Sequence, residues 1–160
     1  MTVMTLPAMV REKANSNLFE EMLPLLDAQF EEVGGGAGLA LDPDWHRFLA
    51  LEDDGLLRIY TMRSEGVLIG FIVAILDFQL AHKDSKVAYI SVTYVDPKWR
   101  RTGEGLVSSG SAFLKWAEEE ISKEGCTGIQ WNIGVRLKLG VLLERNGLVK
   151  TDEIYWGGLS

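Results

Sequence analysis

One stretch of the chain combines residue types able to hold a diphosphate. It runs Val95-Asp96-Pro97-Lys98-Trp99-Arg100-Arg101-Thr102-Gly103-Glu104-Gly105-Leu106, where a strand-forming run meets an amphipathic helical pattern through a short basic loop. The first amides of a helix lack intrahelical partners and carry partial positive charge, so they can bond phosphate oxygens directly. Gly103 and Gly105 would let the backbone approach an anion without Cβ interference, and Arg100 and Arg101 can add charge-assisted hydrogen bonds. The bland alternative is a surface turn with a glycine helix start and two solvated arginines.

The groups able to move a proton are scattered. Glu31 and Glu32 end a helical pattern beside Gly34-Gly35-Gly36, and are either a general base bordering a groove or part of a solvated acidic face. His82 titrates near neutrality and precedes a strand, so it either accepts a proton or is simply exposed. Asp77 interrupts an apolar strand end, as a base or as a polar terminus. His46, beside Trp45, reads as a packing or surface residue. Cys126 is the only cysteine and has no histidine near it in sequence, which argues for a small buried residue over a nucleophile. A lone thiol also excludes an internal disulfide, and no cluster of thiolates and imidazoles suggests a metal. A reducing, cytoplasmic setting is the expectation.

With 160 residues, 47% of them apolar and 24% charged, the chain has the composition of one globular domain, residues 1–160, with a real core. A net charge of -7 without a dense basic run repels phosphodiester backbones, so nucleic acid is not an expected partner. The most apolar run, Val67 to Leu76, is half the ~20 residues of a membrane-spanning helix and reads as a buried strand. Met1 to Val10 lacks the basic and long apolar regions of a secretory signal, so no membrane association is expected.

Periodicity supplies the elements that would position these groups. Met4 to Val10 is a candidate first strand. Leu18, Met22, Leu25, Leu26 and Phe30 recur at helical spacing up to the three glycines. Asp42-Pro43-Asp44 starts a short second helix closed by Gly55. Leu56 to Met62 and Val67 to Leu76 form a hairpin across Arg63-Ser64-Glu65-Gly66. Ala81 to Lys86 reads as a polar connection, and Val87 to Val95 as a strand stopped by Pro97. Leu106, Gly110, Phe113, Leu114, Ala117 and Ile121 share one helical stripe, which Gly125 ends. Gly128 to Ile133 is a further strand, Leu137 to Arg145 a short helix, and Leu148 to Trp156 one or two closing strands. This order indicates a mixed α/β sandwich around one sheet.

The loop Arg100-Arg101-Thr102-Gly103-Glu104-Gly105, following Val95-Asp96-Pro97, resembles the Arg/Gln-x-x-Gly-x-Gly/Ala signature of the GNAT superfamily of acyl-coenzyme A N-acyltransferases. The element order from Asn17 to Trp156 is similar too. Leu142-Leu143-Glu144-Arg145-Asn146-Gly147 resembles a helix found in compact phage and bacterial members. The resemblance implies an α+β fold: a central mixed, mostly antiparallel sheet of six to seven strands with four helices, splayed between strands four and five. It implies acetyl-coenzyme A as co-substrate, with Thr93, Tyr94 and Val95 on its pantetheine arm and Arg100, Arg101, Thr102, Gly103, Glu104 and Gly105 around its pyrophosphate. Asn132 would face pantetheine or acceptor, or else point outward.

The implied activity is transfer of an acetyl group to a primary amine by direct attack in a ternary complex, with a small molecule or a protein lysine as acceptor. Catalytic candidates are Glu31, Glu32, His82 and Tyr94. Two departures accompany the resemblance. Glu104 places a carboxylate between the glycines. Leu143 stands where many members carry the tyrosine that reprotonates the thiol, leaving Tyr94, Tyr155, a water or no acid for that role. They keep open an alternative: a non-catalytic coenzyme A binder, or a structural or virion-associated interaction protein. Trp131, Tyr155 and Trp156 read as core or interface aromatics, and an apolar edge strand would suit a homodimer.

Overall fold

A computed structural model describes residues 6–34, 39–100, 109–134, 139–155 and 157. Among them the elements run β1 (Ala8–Glu12), α1 (Ser16–Glu32), α2 (Trp45–Asp53), β2 (Leu57–Ser64), β3 (Val67–Gln79), β4 (His82–Val95), a 3-10 turn (Pro97–Trp99), α3 (Ser109–Ser122), β5 (Gly128–Trp131) and α4 (Leu139–Arg145). The strands form one sheet in sequence order. The first three pairings are antiparallel, whereas β4 and β5 run parallel, because α3 supplies the crossover that a parallel pair requires.

Local chemistry sets the boundaries. The Asn15 side chain accepts from the Leu18 amide at 2.9 Å and caps α1, and Asp44 accepts from the Arg47 amide at 3.0 Å and caps α2, each satisfying an orphan donor. Helix α1 runs through Pro24. Glu65 and Gly66 both have positive φ, 49° and 81°, as a two-residue type I′ hairpin demands.

The sheet separates two apolar layers. On one face Phe113, Leu114, Ala117 and Ile121 of α3 and Leu143 of α4 pack on Tyr60, Ile72, Ala74, Leu76, Ala88 and Ile90. On the other, Leu18, Phe19, Met22 and Leu26 of α1 pack on Leu57, Ile59, Phe71, Val73 and Tyr94. Helix α2 joins this second layer through Trp45, which stacks on Phe19 at 4.3 Å, and Phe48.

Bidentate arginines tie distant segments together. Arg58 of β2 bonds both oxygens of Glu124, just past α3, at 2.9 Å each and donates to the Gly55 and Leu57 carbonyls at 2.8 Å. Arg63 holds Glu12 of β1 and Glu21 of α1, and Thr61 closes a short contact to the same Glu12. The Arg58 hydrogen bonds keep the Glu124 carboxyl below its ordinary value, and burial pushes the Tyr60 phenol up to about 12.

Four expectations need correction. The described residues hold five strands, not six to seven. Leu148 to Tyr155 forms no strand, because its central Lys150-Thr151-Asp152-Glu153 spends its polar groups locally. Lys150 pairs with Glu153 at 2.7 Å, Thr151 with Asp152, and the Tyr155 hydroxyl donates to Glu153, while Val149, Ile154 and Tyr155 are exposed. Trp156 lies outside the described residues. The stretch read as a polar connection belongs to β4, since the hairpin continues to the Gln79–His82 pair and backbone pairing there needs no apolar side chains. Conversely, β5 ends at Trp131, two residues before the expected Ile133.

Phe113 is fully buried at the centre of the α3 layer, so Phe113→Ala should cost about 3–5 kcal/mol of stability in urea unfolding. Glu124 contributes stability that is present above its unfolded pKa, roughly 4.3, and lost as pH falls through its lower folded value. Glu124→Gln should therefore flatten part of the loss of stability seen on acidification.

Candidate active site

The site is shaped by one extra residue. Val73 of β3 faces Val92 of β4, yet Ala74 faces Ile90, so Ser91 is a bulge. A bulge shifts the alternation of side chains and bends the strand. Before it, Ala88 and Ile90 point into the α3 layer. After it, Val92 and Tyr94 point into the α1 layer and Val95 into the α3 layer. Pairing of β4 with β5 stops at the same place, running from Val87–Gly128 to Ile90–Trp131. Beyond Ile90, β4 continues for five residues with no β5 partner.

The backbone groups at this opening can be assigned. The Asp96 amide donates to the Ile69 carbonyl of β3 at 2.8 Å. A side chain at Gly70 would meet the Tyr94 carbonyl at 3.0 Å, so Tyr94 also turns its backbone toward β3. Strand alternation then turns the amides and carbonyls of Thr93 and Val95 toward the opening. The Val95 carbonyl is taken by Arg100, and among the described residues the Thr93 groups and the Val95 amide form an edge without a β5 partner, which fits the amide-bearing pantetheine arm implied by the resemblance.

At the mouth, three candidates from different parts of the sequence meet. Arg100 donates to both carboxylate oxygens of Glu32, at 2.7 and 2.5 Å, and through Nε to the Val95 carbonyl at 2.7 Å. Its guanidinium lies 5.3 Å from the centroid of the Tyr94 ring, within cation–π range. The Glu32 hydrogen bonds raise the Arg100 pKa further, and burial, opposed in part by Arg100, raises that of Tyr94. Tyr94 therefore keeps its proton at neutral pH. Glu31, one residue away, is exposed.

Other candidates are placed apart. His82 opens β4 at the far end of the β3–β4 hairpin, roughly 40 Å along the strand from Tyr94. It lines a shallow depression with Lys83, Asp84, Ser85 and Thr127. Asn132 follows β5, exposed, and its side-chain carbonyl accepts from Gln130 at 3.3 Å. Asp77 accepts from the Phe78 amide within its own strand. Cys126 is half-buried, and burial pushes its thiol pKa up, away from thiolate character. Leu143 is buried in the α3 layer. Arg101, Thr102, Gly103, Glu104 and Gly105 lie outside the described residues, as do Gly35 and Gly36. Among the described residues, no group of acidic, histidine or cysteine side chains could hold a metal, and no helix is long and apolar enough to cross a membrane.

Sequence reading missed Ser91. The available signal was a change of phase, with Ala88 and Ile90 at even positions and Val95 at an odd one, but apolar layers on both faces conceal such a change.

No curated protein matches the chain, but solved structures share its fold. An aminoglycoside acetyltransferase from an uncultured soil metagenomic sample, bound to trehalose, is 15% identical at a TM-score of 0.73, covering 97% of each chain. The ribosomal-protein-alanine N-acetyltransferase of Brucella melitensis biovar Abortus 2308 is 15% identical at 0.66, covering 96% of this chain and 99% of its own. An aminoglycoside N-acetyltransferase in complex with CoA is 13% identical at 0.64, with the same coverage. At these identities the likeness establishes the fold alone. The sequence itself matches the acetyltransferase (GNAT) family model over residues 19–137, a span that includes α1, the bulged β4, the basic loop and β5. With a family match over most of its length and the splayed parallel pair in place, the chain belongs to the GNAT family of acetyltransferases.

Proposed function

We propose that this protein transfers the acetyl group of acetyl-coenzyme A to a primary amine, by direct attack with both substrates bound. The observation that carries this reading is the end of β4, where among the described residues the Thr93 backbone groups and the Val95 amide have no β5 partner. Acetyl-coenzyme A, when bound, supplies an activated thioester. The Thr93 backbone and the Val95 amide would orient its pantetheine amides along the edge, in place of a neighbouring strand. Arg101 to Gly105 would hold its diphosphate through loop amides and the Arg101 side chain.

The chain's own groups divide the proton work. Glu31, exposed beside Glu32 at the end of α1, is the remaining carboxylate candidate, and it would receive the amine proton on a carboxylate oxygen, directly or through water. Tyr94 holds a proton on Oη beside the opening and is the acid candidate there. His82 is too distant to serve either role. A carboxylate at the mouth also favours a cationic acceptor, such as a polyamine, an amino sugar or a lysine side chain. The aminoglycoside acetyltransferases among its structural neighbours support an acceptor of this kind. One observation favours a non-catalytic coenzyme A-binding or interaction protein instead: Leu143 fills a core position where many family members carry an acid.

A hundredfold excess of acetyl-coenzyme A over Kd should stabilise the native state by about 2.7 kcal/mol, raising Tm by about 5–10 °C. Free thiol should then appear on addition of a polyamine or an amino sugar. A shift without thiol release across an amine panel would select the non-catalytic coenzyme A-binding reading, and no shift at millimolar ligand would remove the transferase and leave only the interaction protein. Glu31→Gln should lower kcat by about 100-fold, whereas His82→Ala should leave kcat/KM within about twofold of the parent, the range of an ordinary surface substitution.

A further inference from the structure

The end of α1 lies close to the segments that follow both of the strands that part at the opening. Glu32 holds Arg100, which in turn holds the Val95 carbonyl at the end of β4. The next residue, Val33, packs on Gly134, just past β5. A Cβ added at Gly134 would sit 3.3 Å from Val33 Cγ1 and 3.4 Å from its Cβ, closer than ordinary van der Waals contact. Two neighbouring residues thus reach opposite sides of one gap, by an ion pair on one side and a close apolar contact on the other.

We infer that the last turn of α1 is a strap across the splayed strands, and that Glu32 and Arg100 are positioning residues that fix the width of the opening. This rests on the reading of the opening as the acetyl-coenzyme A site, and it reassigns two candidates. Three of the five Arg100 N–H donors are engaged by protein oxygens, and its guanidinium lies 5.3 Å from the Tyr94 ring centroid, so its side chain is assigned to holding the strands and not to the diphosphate. Glu32 has both oxygens on Arg100, so it is not the general base.

The planar fork explains why arginine is suited to the position. It makes two parallel bonds to a carboxylate while a third donor reaches a carbonyl, which a lysine ammonium cannot reproduce. Glycine at 134 is suited by the small separation from Val33. The opening is therefore held by a contact network that precedes any ligand, and pre-set geometry lowers the cost of binding.

The test compares Glu32→Gln, Arg100→Gln, the double variant and Gly134→Val in the full chain. As a strap, the two single polar variants should each weaken acetyl-coenzyme A binding by about tenfold, in the same direction, and the double variant should add little. Gly134→Val, which wedges the other end, should do likewise. The charge exchange of Glu32→Arg with Arg100→Glu should recover part of the loss. The pH dependence of kcat/KM should keep its shape in Glu32→Gln.

Opposite effects, with Arg100→Gln weakening and Glu32→Gln strengthening binding, would make Arg100 a phosphate ligand and overturn the proposal. So would loss of the acid limb in Glu32→Gln with KM unchanged, the mark of a general base. Amide hydrogen exchange separates this outcome from failure of the acetyl-coenzyme A reading. Even in a protein that binds no acetyl-coenzyme A, Glu32→Gln should speed exchange at residues 91–95 and 131–134 together. Faster exchange confined to the end of α1 would sink the strap.

Discussion

A single surplus residue in β4 shapes the candidate site. Sheet hydrogen bonding is satisfied only while neighbouring strands keep register, and Ser91 breaks that register within β3–β4. The strand bends where β5 pairing ends, and the change of phase moves Tyr94 from the face it would otherwise occupy to the α1 layer. Two consequences follow from one cause: an edge of unpaired backbone opens inside the sheet, and an aromatic side chain turns toward the acidic end of α1. Neither would exist in a regular ladder, whose inner groups would all be paired.

The energetic burden of that opening falls on the layers around it. Fully buried Phe71 and Ile72 of β3 and Phe113 of α3 anchor the sheet on both faces, so the parting of β4 and β5 does not spread. Arginine pairing repeats the same solution at three places. Arg58, Arg63 and Arg100 each join a strand or its exit to a carboxylate on another element. Partly exposed pairs of this kind add little stability, but a bidentate fork fixes orientation, and orientation is what a site between diverging strands requires.

Legibility in the sequence followed the range of the interactions. The helices were readable because their apolar stripes, the Asp44 cap and the glycine stop at Gly34 are local, and the Glu65-Gly66 hairpin for the same reason. A mixed sheet was expected from the resemblance that the loop motif carries, but which pair runs parallel came only with the structure. What escaped depends on partners far away in the chain. Glu32 and Arg100 are 68 residues apart, and each had a reasonable separate role, base or phosphate ligand, until the fold set them face to face. The extension of β4 to His82 and the early end of β5 depend on backbone pairing that side-chain type does not report. The C-terminal stretch shows the converse case: strand-forming Val149, Ile154 and Tyr155 do not make a strand when the residues between them bond to one another.

If the opening is an acetyl-transfer site, this arrangement offers an acid in place of the expected one. With Leu143 in the core, proton return to a leaving thiolate cannot come from α4 at that position. Tyr94 is the phenol that the bulge turns to the mouth, and its surroundings act in opposing senses: burial disfavours ionisation while the Arg100 guanidinium over the ring favours it. A neutral phenol can donate, and a cation beside it stabilises the phenolate that donation leaves behind. Arg100 can provide that cation only while it stays over the ring, and Glu32 is what keeps it there. The ion pair that straps the opening is thus also what holds a cation over the Tyr94 ring, so one contact sets both the width of the opening and the surroundings of the phenol.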